Sequence, residues 1–296
     1  MAIPFFGDAV DTPPLPSSTV MLLREGAPGL EVLLMRRHAN TAVLGGVHVF
    51  PGGKLDAADR DVGAQGLELD LDAEACRLRL AEPQLEPGQA LALHLAALRE
   101  TFEECGLLPG ADASARDLGA LRERMQAGSN LRDAAAGLGL ALRLSALLPW
   151  SRWITPRQPS VSHKRFDTRF FVALAPPGQD IVACARETTE VVWTTPRAAL
   201  ERYWAGEIDL APPQIMSLSH LLRLGDVGAV MARARACPPV LVAPEPFDED
   251  GVRVICYPGD PAHSVREAAW PGPTRLRYRN RRFEPEGGLD ALTGGA

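Results

Sequence analysis

Two apolar stretches near the N-terminus flank a short turn sequence and predict a β-hairpin. They cover residues 19–24 and 30–36, and Glu-Gly-Ala-Pro-Gly separates them. Glycine and proline in such a short connection favour a reversal of the chain. A third apolar stretch, 47–50, leads into Pro51 and two glycines, which allow the backbone to approach a ligand closely. We therefore predict three strands followed by a loop that is a candidate binding site.

The segment from about residue 89 to residue 105 has the period of an amphipathic helix. At about 100° per residue, positions that share one face are apolar, namely 91, 95, 98, 102 and 105. Glu100, Glu103 and Glu104 gather near the opposite side, and Gly106 is the residue type that commonly ends a helix. One side of this helix is thus predicted to pack on the core, while the other collects three carboxylates.

The remaining pattern predicts an α/β protein with an appended tail. Short helices are expected at 73–80, 114–126, 131–138, 196–205 and 213–224, and strands at 144–154, 169–174, 191–193, 252–257 and 275–279. We predict a main domain over 15–236, with insertions at about 60–88 and 111–140, and a β-rich C-terminal extension over 237–296. The sequence leaves open whether this extension forms a homodimer contact or covers the active site.

Composition and charge narrow the class of protein. Of 296 residues, 46% are hydrophobic and 23% are charged, as in soluble globular proteins, which argues against a disordered or coiled-coil chain. The net charge of −6 without a long basic run argues against binding to nucleic acid or to an anionic membrane. The five cysteines include no Cys-x-x-Cys pair, which indicates a reducing compartment. Since we also find no signal sequence and no membrane-spanning stretch, we expect a cytoplasmic protein without a membrane partner.

Three glutamates on one helical face repel one another, by a few tenths of a kcal/mol per pair in water. A cation among them would relieve this repulsion. Carboxylate oxygens suit a hard divalent ion such as Mg²⁺ or Mn²⁺, which leaves coordination positions for substrate phosphate. The alternative is an acidic face in contact with water, with Arg99 as a local partner. The helix alone leaves both interpretations open.

The residues around this helix resemble the signature of the Nudix hydrolases. Gly53 is followed, after five residues, by Asp59, and residues 99–107 read Arg-Glu-Thr-Phe-Glu-Glu-Cys-Gly-Leu. Residues 60–98 stand between these two halves, where the family usually has only seven residues. This long insertion is similar to the branch that includes the mammalian peroxisomal coenzyme A diphosphatase. Further segments that are similar to this branch lie at 50–53, 153–156, 164–171 and 210–214.

The resemblance implies the Nudix α/β/α sandwich, with a mixed β-sheet between helices. It also implies a metal-dependent hydrolase that cleaves the diphosphate of a nucleoside diphosphate derivative. The expected substrate is coenzyme A or an acyl-CoA, which would give 3′,5′-ADP and (acyl-)4′-phosphopantetheine. ADP-ribose, NADH and nucleotide sugars are alternative substrates within the enzyme class. A hypothesis of another class is a non-catalytic module that senses a nucleotide, although the intact signature favours the enzyme.

The resemblance assigns roles by position in the signature. Glu103 and Glu104 resemble the principal ligands of Mg²⁺ or Mn²⁺, and Glu100 resembles a further ligand or the general base. Gly52 or Gly53 would offer a backbone carbonyl to the metal. Asp59 replaces the family's glutamate, so it would ligate the metal or orient Arg99, which we include in the catalytic set.

Other candidates lie outside the signature. The resemblance allows a general base in the loop before a late strand, where the two carboxylates are Glu187 and Glu190. Basic residues suited to phosphate oxygens are Arg36, Arg37, Lys54, His163, Lys164 and Arg165. Five aromatic residues would either stack on an adenine or pack in the core, namely Trp150, Trp153, Phe166, Phe170 and Phe171.

Overall fold

A mixed β-sheet forms the centre of the computed structural model, which describes residues 9–39, 44–60, 67–158, 164–184 and 188–294. Its eight strands in these residues are β1 (Leu15–Gly26), β2 (Gly29–Arg37), β3 (His48–Val49), β4 (Gly52–Lys54), β5 (Leu148–Ile154), β6 (Phe166–Leu174), β7 (Thr188–Thr194) and β8 (Val240–Val242). They are ordered β3-β2-β1-β6-β5-β8, with β4 also paired to β1 and β7 to β2. The pairs β1–β6 and β5–β8 are parallel and the others are antiparallel.

Helices cover both faces of this sheet. They are α1 (Ala73–Leu80), α2 (Pro87–Cys105), α3 (Ala115–Gln126), α4 (Leu131–Ala136), α5 (Pro196–Trp204), α6 (Pro212–Leu224), α7 (Val227–Ala236) and α8 (Gly288–Thr293). Successive side chains of a strand point to opposite faces, so β1 contributes to two cores. Val20 and Leu22 pack with α1 to α4, whereas Met21 and Leu23 pack with α5 to α8. The α/β/α sandwich implied by the resemblance is therefore confirmed.

A second sheet follows the main one near the C-terminus. Its four strands in the described residues are β9 (Glu245–Glu249), β10 (Val252–Cys256), β11 (Arg275–Arg279) and β12 (Arg282–Glu284), all antiparallel. Apolar side chains from this sheet join the same core cluster as β1 and α5 to α8, for example Ile255 and Phe283. We call residues 237–296 the tail. It starts with β8, which pairs with β5 in the main sheet, and the division predicted at residue 236 stays a prediction.

Most predicted elements are present, with two differences. The single strand predicted over 144–154 is wrong at its start, because Leu144–Ala146 forms a 3₁₀ turn and β5 begins at Leu148. The helices α7 and α8 and the short strands β4, β8, β9 and β12 were not predicted, since each has little apolar periodicity of its own. No single helix in the described part of the chain is long and apolar enough to span a membrane, and α6 with α7, bent by 106°, passes that test only as a pair.

A network of charged side chains attaches the insertion between the two halves of the signature to the sheet. Glu82, in this insertion, accepts hydrogen bonds from Arg169 of β6 at 2.6 and 2.9 Å. Arg152 of β5 lies 2.8 Å from the same carboxylate and also pairs with Asp167. Arg169 is buried, so carboxylates rather than water stabilise its positive charge. The long insertion is therefore bound to the same strands that support the site described below.

His94, on α2, is fully buried in the core and packs against Phe171 with ring centroids 4.9 Å apart. Its Nδ1 lies 2.9 Å from the carbonyl oxygen of Ala90. Burial lowers the pKa of His94 from 6.5 to about 4. Burial likewise lowers the pKa of His220 to about 4. Both imidazoles are therefore neutral in the folded protein at pH 6.

The first prediction concerns the pH dependence of folding. Between pH 6.5 and pH 4 the unfolded chain binds a proton at His94 before the folded protein does, so acidification destabilises the fold by up to about 1.4 kcal/mol per pH unit for each such histidine. His94→Leu should reduce this slope, whereas His220 maintains its own share. The measurement is urea unfolding at pH 4.5, 5.5, 7.5 and 8.5. An unchanged slope in His94→Leu would contradict the prediction. The range from pH 7.5 to 8.5 is the internal control, because both histidines are neutral there in the folded and in the unfolded protein.

Candidate active site

The guanidinium of Arg99 on α2 is the centre of a buried charge cluster. Its Nε and Nη2 donate to the two carboxylate oxygens of Asp59, each at 2.8 Å. Its Nη1 donates to Glu100 Oε1 and Glu103 Oε2, each at 3.0 Å. Nη2 also donates to the backbone carbonyl of Lys54 at 3.0 Å. One side chain therefore holds three carboxylates and the end of the glycine loop together.

These contacts set the charge states in the cluster. Burial acts to lower the pKa of Arg99, but the hydrogen bond with Asp59 and the negative charges of Glu100, Asp59 and Glu103 outweigh it and raise that pKa. Burial raises the pKa of Glu103, and the neighbouring Arg99 opposes this rise. Arg99 is thus a permanent cation that partly compensates the repulsion among the carboxylates.

Two glycines allow the helix to approach the strand β4. The backbone N–H of Gly52 donates to Glu104 Oε2 at 2.8 Å. A Cβ atom at Gly52 would lie 2.4 Å from the carbonyl oxygen of Ser18, and one at Gly53 would lie 2.2 Å from Glu100 Oε1. Neither position has space for a side chain. Gly52 therefore allows β4 to lie close to β1, and Gly53 allows the Glu100 carboxylate of α2 to lie against the loop.

A cavity of about 590 Å³ lies beside this cluster. Charged and glycine residues that line it are Arg37, Gly52, Gly53, Lys54, Asp56, Arg99, Glu100, Glu103, Glu104 and Lys164. Apolar residues from several elements complete the wall, including Phe50, Trp153, Ile154, Phe166, Phe170 and Ile255. The cavity thus combines carboxylates, cations and apolar surface, which suits a large anionic ligand with apolar parts.

The structure brings nine of the residues predicted from the sequence to this cavity. They are Arg37, Gly52, Gly53, Lys54, Arg99, Glu100, Glu103, Glu104 and Lys164. Arg37 Nη1 lies 3.8 Å from Glu104 Oε1, so one predicted phosphate contact stands directly beside a predicted metal ligand. Trp153 and Phe170 are buried and also line the cavity. Packing in the core and contact with a ligand are therefore compatible for these two aromatic residues.

Four other predicted residues do not line the cavity. Both carboxylate oxygens of Asp59 accept hydrogen bonds from Arg99, and this arrangement favours a role in orienting Arg99 over direct metal ligation. Glu190 is within β7 and not, as was predicted, in the loop before that strand, because its backbone pairs with that of Arg36 on β2. Its Oε2 lies 3.5 Å from His48 Nε2, and Arg36 is exposed. Arg165 donates to the backbone carbonyls of Thr155 and Thr12. The contacts that were predicted for these residues with metal or substrate therefore stay predictions.

Two candidates, His163 and Glu187, lie outside the described residues.

The sequence analysis missed several polar residues of the cavity. Asp56 lines it, with Oδ2 3.9 Å from Arg99 Nη2. Ser17 and Thr168 also line it, and their hydroxyl oxygens are 2.7 Å apart. Gln214 is buried at the cavity wall, and its Oε1 has no hydrogen-bond partner among the described residues. The run of three polar residues at 17–19, at the start of an otherwise apolar strand, was a signal that could have revealed part of this set.

The donor set fits a hard divalent cation. Glu100, Glu103 and Glu104 present carboxylates from one helix to a cavity that also exposes the glycine loop, and oxygen ligands of this kind suit Mg²⁺ and Mn²⁺. Among the described residues, no group of three His, Cys, Asp or Glu side chains stands ready to hold an ion. Arg99 and the Gly52 N–H hold these carboxylates instead. The metal ligands predicted from the sequence therefore stay predictions.

Comparison with known proteins gives a consistent result. A family model described as the NUDT19 Nudix domain matches residues 16–221. The chain is similar to the acyl-coenzyme A diphosphatase NUDT19 of Gallus gallus, with 29% identity over 82% of this chain and 80% of that protein. The similarity to the Homo sapiens protein of the same name is 29% identity over 66% of this chain, and it spans only 61% of the human protein. A crystal structure of a NUDIX hydrolase from Alicyclobacillus acidocaldarius is similar at 27% identity, with a TM-score of 0.59, and the match covers 75% of this chain and 97% of that one.

The Arg99–Asp59 pair generates the second prediction. Asp59→Asn should lower the free energy of unfolding by about 2–3 kcal/mol, because it removes a buried charge partner while Arg99 keeps its other two carboxylates. Asp56→Asn is the matched control. Its side chain is 61% exposed and 3.9 Å from Arg99, so its loss should cost less than about 0.5 kcal/mol. Urea unfolding at pH 7 measures both, and equal effects of the two variants would contradict the prediction.

Proposed function

Because this chain belongs to the Nudix hydrolase family, in the branch of the NUDT19 Nudix domain, we propose that it is a metal-dependent diphosphatase of coenzyme A or acyl-CoA. The products would be 3′,5′-ADP and 4′-phosphopantetheine or its acylated form. The observation that carries this proposal is the set of carboxylates on α2, held by Arg99 at the wall of a cavity that also contains cations. The names of the chicken and human relatives support the choice of substrate.

In this proposal, Glu103 and Glu104 hold Mg²⁺ or Mn²⁺, together with the backbone carbonyl of Gly52, and Glu100 is the general base rather than a further ligand. The bound ion would neutralise phosphate charge and make water more acidic. Asp59 acts through Arg99 and positions it rather than touching the substrate. The chain's contribution is therefore a fixed array of oxygen ligands next to fixed cations.

The proposed chemistry is attack of water on one phosphorus of the diphosphate. The water oxygen forms a bond to this phosphorus, the bridging P–O bond breaks, and each product retains one phosphate. Glu100 would accept a proton from the water, since Arg99 fixes one of its oxygens and so orients the carboxylate. Arg37, Lys54 and Lys164 line the cavity and would supply positive charge to the phosphate oxygens. The cytoplasmic location expected from the sequence stays a prediction, and the homodimer stays the open alternative that the sequence left.

The third prediction tests the reaction and its substrate class. With Mg²⁺ or Mn²⁺, the protein should cleave coenzyme A and acetyl-CoA in preference to ADP-ribose, NADH and a nucleotide sugar, with products identified by mass. Glu103→Gln should lower kcat by at least about 100-fold, because it removes a charge that holds the metal. The control is Glu123→Gln, an exposed glutamate of α3, which should retain activity.

The outcomes separate the hypotheses. Preferred cleavage of another compound would keep the hydrolase and overturn the coenzyme A assignment. If no compound is cleaved, but one binds without metal and Glu103→Gln leaves that affinity unchanged, the chain is a nucleotide-sensing module instead.

The fourth prediction tests the close approach of the glycine loop to α2. Gly53→Ala should lower kcat by about 100-fold, since the added Cβ displaces the Glu100 carboxylate by roughly 1 Å. Gly88→Ala is the control, because Gly88 lies in the first turn of the same helix with no atom within 4 Å of an added Cβ. Thermal unfolding shows whether both variants are folded. Full activity of a folded Gly53→Ala would show that the position of Glu100 does not matter.

A further inference from the structure

The tail contributes to the wall of the cavity although it lies outside the part of the chain that matches the family model. That match ends at residue 221. Two residues beyond it line the cavity, Pro244 in the connection between β8 and β9, and Ile255 on β10. Family membership therefore explains the carboxylate cluster but does not account for this part of the wall.

The register of the main sheet shows how far the tail is from the carboxylate cluster. A row of paired residues crosses the sheet in the order Lys54, Ser17, Thr168, Trp153 and Val242. Paired residues on neighbouring strands point to the same face, and the first four of these line the cavity. With about 4.8 Å between strands, the three steps from Lys54 to Trp153 span about 14 Å, and the fourth step reaches Val242, in the tail, at about 19 Å. The cavity thus extends along this row, from the loop beside Arg99 to the start of the tail.

The tail end of the row is apolar. Ile255 is 5% exposed. The ring of Trp153 packs against two tail residues, with centroid distances of 5.9 Å to Tyr257 and 5.6 Å to Trp270. Neither tail residue that lines the cavity carries a charge, whereas Lys54, at the other end of the row, lies beside Arg99 and its carboxylates. A ligand that extends from the carboxylates to the tail therefore moves from a charged environment into an uncharged one.

The proposed substrate has this distribution of charge along its length. In the pantetheine arm about 13 bonds separate phosphorus from sulfur, and at roughly 1.2 Å per bond in an extended chain they span about 16 Å. This length is close to the distance from Lys54 to Val242. An adenine at the same place would present several polar nitrogen atoms to Pro244 and Ile255, which offer no side-chain hydrogen bond. The thioester end of an acyl-CoA fits this environment better.

We propose that the tail forms the binding site for the acyl group, and that Ile255 and Pro244 determine which acyl groups the enzyme accepts. This inference depends on the proposed acyl-CoA diphosphatase function and specifies a part of the substrate site. Ile255 and Pro244 contact the substrate about 16–19 Å from the reacting phosphorus, so they affect the choice of substrate rather than the chemical step.

The fifth prediction compares two isoleucines with the same burial. Ile255 and Ile208 are each 5% exposed and belong to the same core cluster, but among them only Ile255 lines the cavity. Ile255→Ala should lower the ratio of kcat/KM for hexanoyl-CoA to kcat/KM for coenzyme A by about tenfold, because it removes apolar contact with the acyl chain. Ile208→Ala should leave this ratio unchanged. The milder pair Ile255→Val and Ile208→Val provides the same comparison, with about a threefold effect, if the alanine variants do not fold.

The results distinguish this inference from the proposed function. If the unaltered protein cleaves coenzyme A compounds but the Ile255 variants retain the wild-type ratio, the acyl site is overturned and the diphosphatase stands. An equal loss of kcat/KM for hexanoyl-CoA and for coenzyme A would also overturn it, since Ile255 would then act on the whole cavity. If the unaltered protein cleaves neither coenzyme A nor hexanoyl-CoA, the proposed diphosphatase function is overturned, and the acyl site that depends on it is overturned as well.

Discussion

The arrangement of the site depends on one buried ion pair, between Arg99 and Asp59. A guanidinium that is removed from water needs several charged or polar partners, and Arg99 finds them on both sides of a long insertion. Asp59 and Lys54 precede the insertion, while Glu100 and Glu103 follow it. The pair therefore fixes the two halves of the signature to each other independently of the length of chain between them. This explains how residues 60–98 can intervene without separating the glycine loop from the carboxylates.

The insertion is itself anchored, and by the same kind of interaction. Glu82 binds Arg169 and Arg152, which belong to the neighbouring strands β6 and β5. Thr168 and Trp153, the next residues along these strands, line the cavity. Since alternate residues of a strand face opposite sides, the charge network stabilises one face of β5 and β6 while the other face contacts the ligand space. The insertion thus supports the cavity floor, and none of its described residues, 60 and 67–98, lines the cavity.

The sequence predicted the parts of the fold that depend on local pattern. The hairpin of β1 and β2, the helix α2 and the glycine loop follow from periods of 2 and 3.6 residues and from glycine's freedom to approach other atoms. The pairing of β8 with β5 and the packing of the tail on Trp153 join segments that are far apart in the chain, so no local pattern indicates them. Lys164 and Arg165 show that local sequence pattern can also fail to distinguish adjacent residues. They are adjacent and both basic, yet Lys164 lines the cavity while Arg165 binds backbone carbonyls, a difference that their residue types do not reveal.

The parallel pairing of β5 with β8 has a consequence for how the protein is made. Ribosomes deliver the glycine loop and α2 first, and β1 to β7 are complete before residue 240 leaves the exit tunnel. Until then, β5 is an unpaired sheet edge and Trp153 lacks Tyr257 and Trp270. The growing chain therefore carries its charged cluster for some time before the tail's part of the apolar wall exists. Completion of the cavity is a late event in synthesis, and the exposed edge of β5 is the surface that nascent-chain chaperones would have to protect.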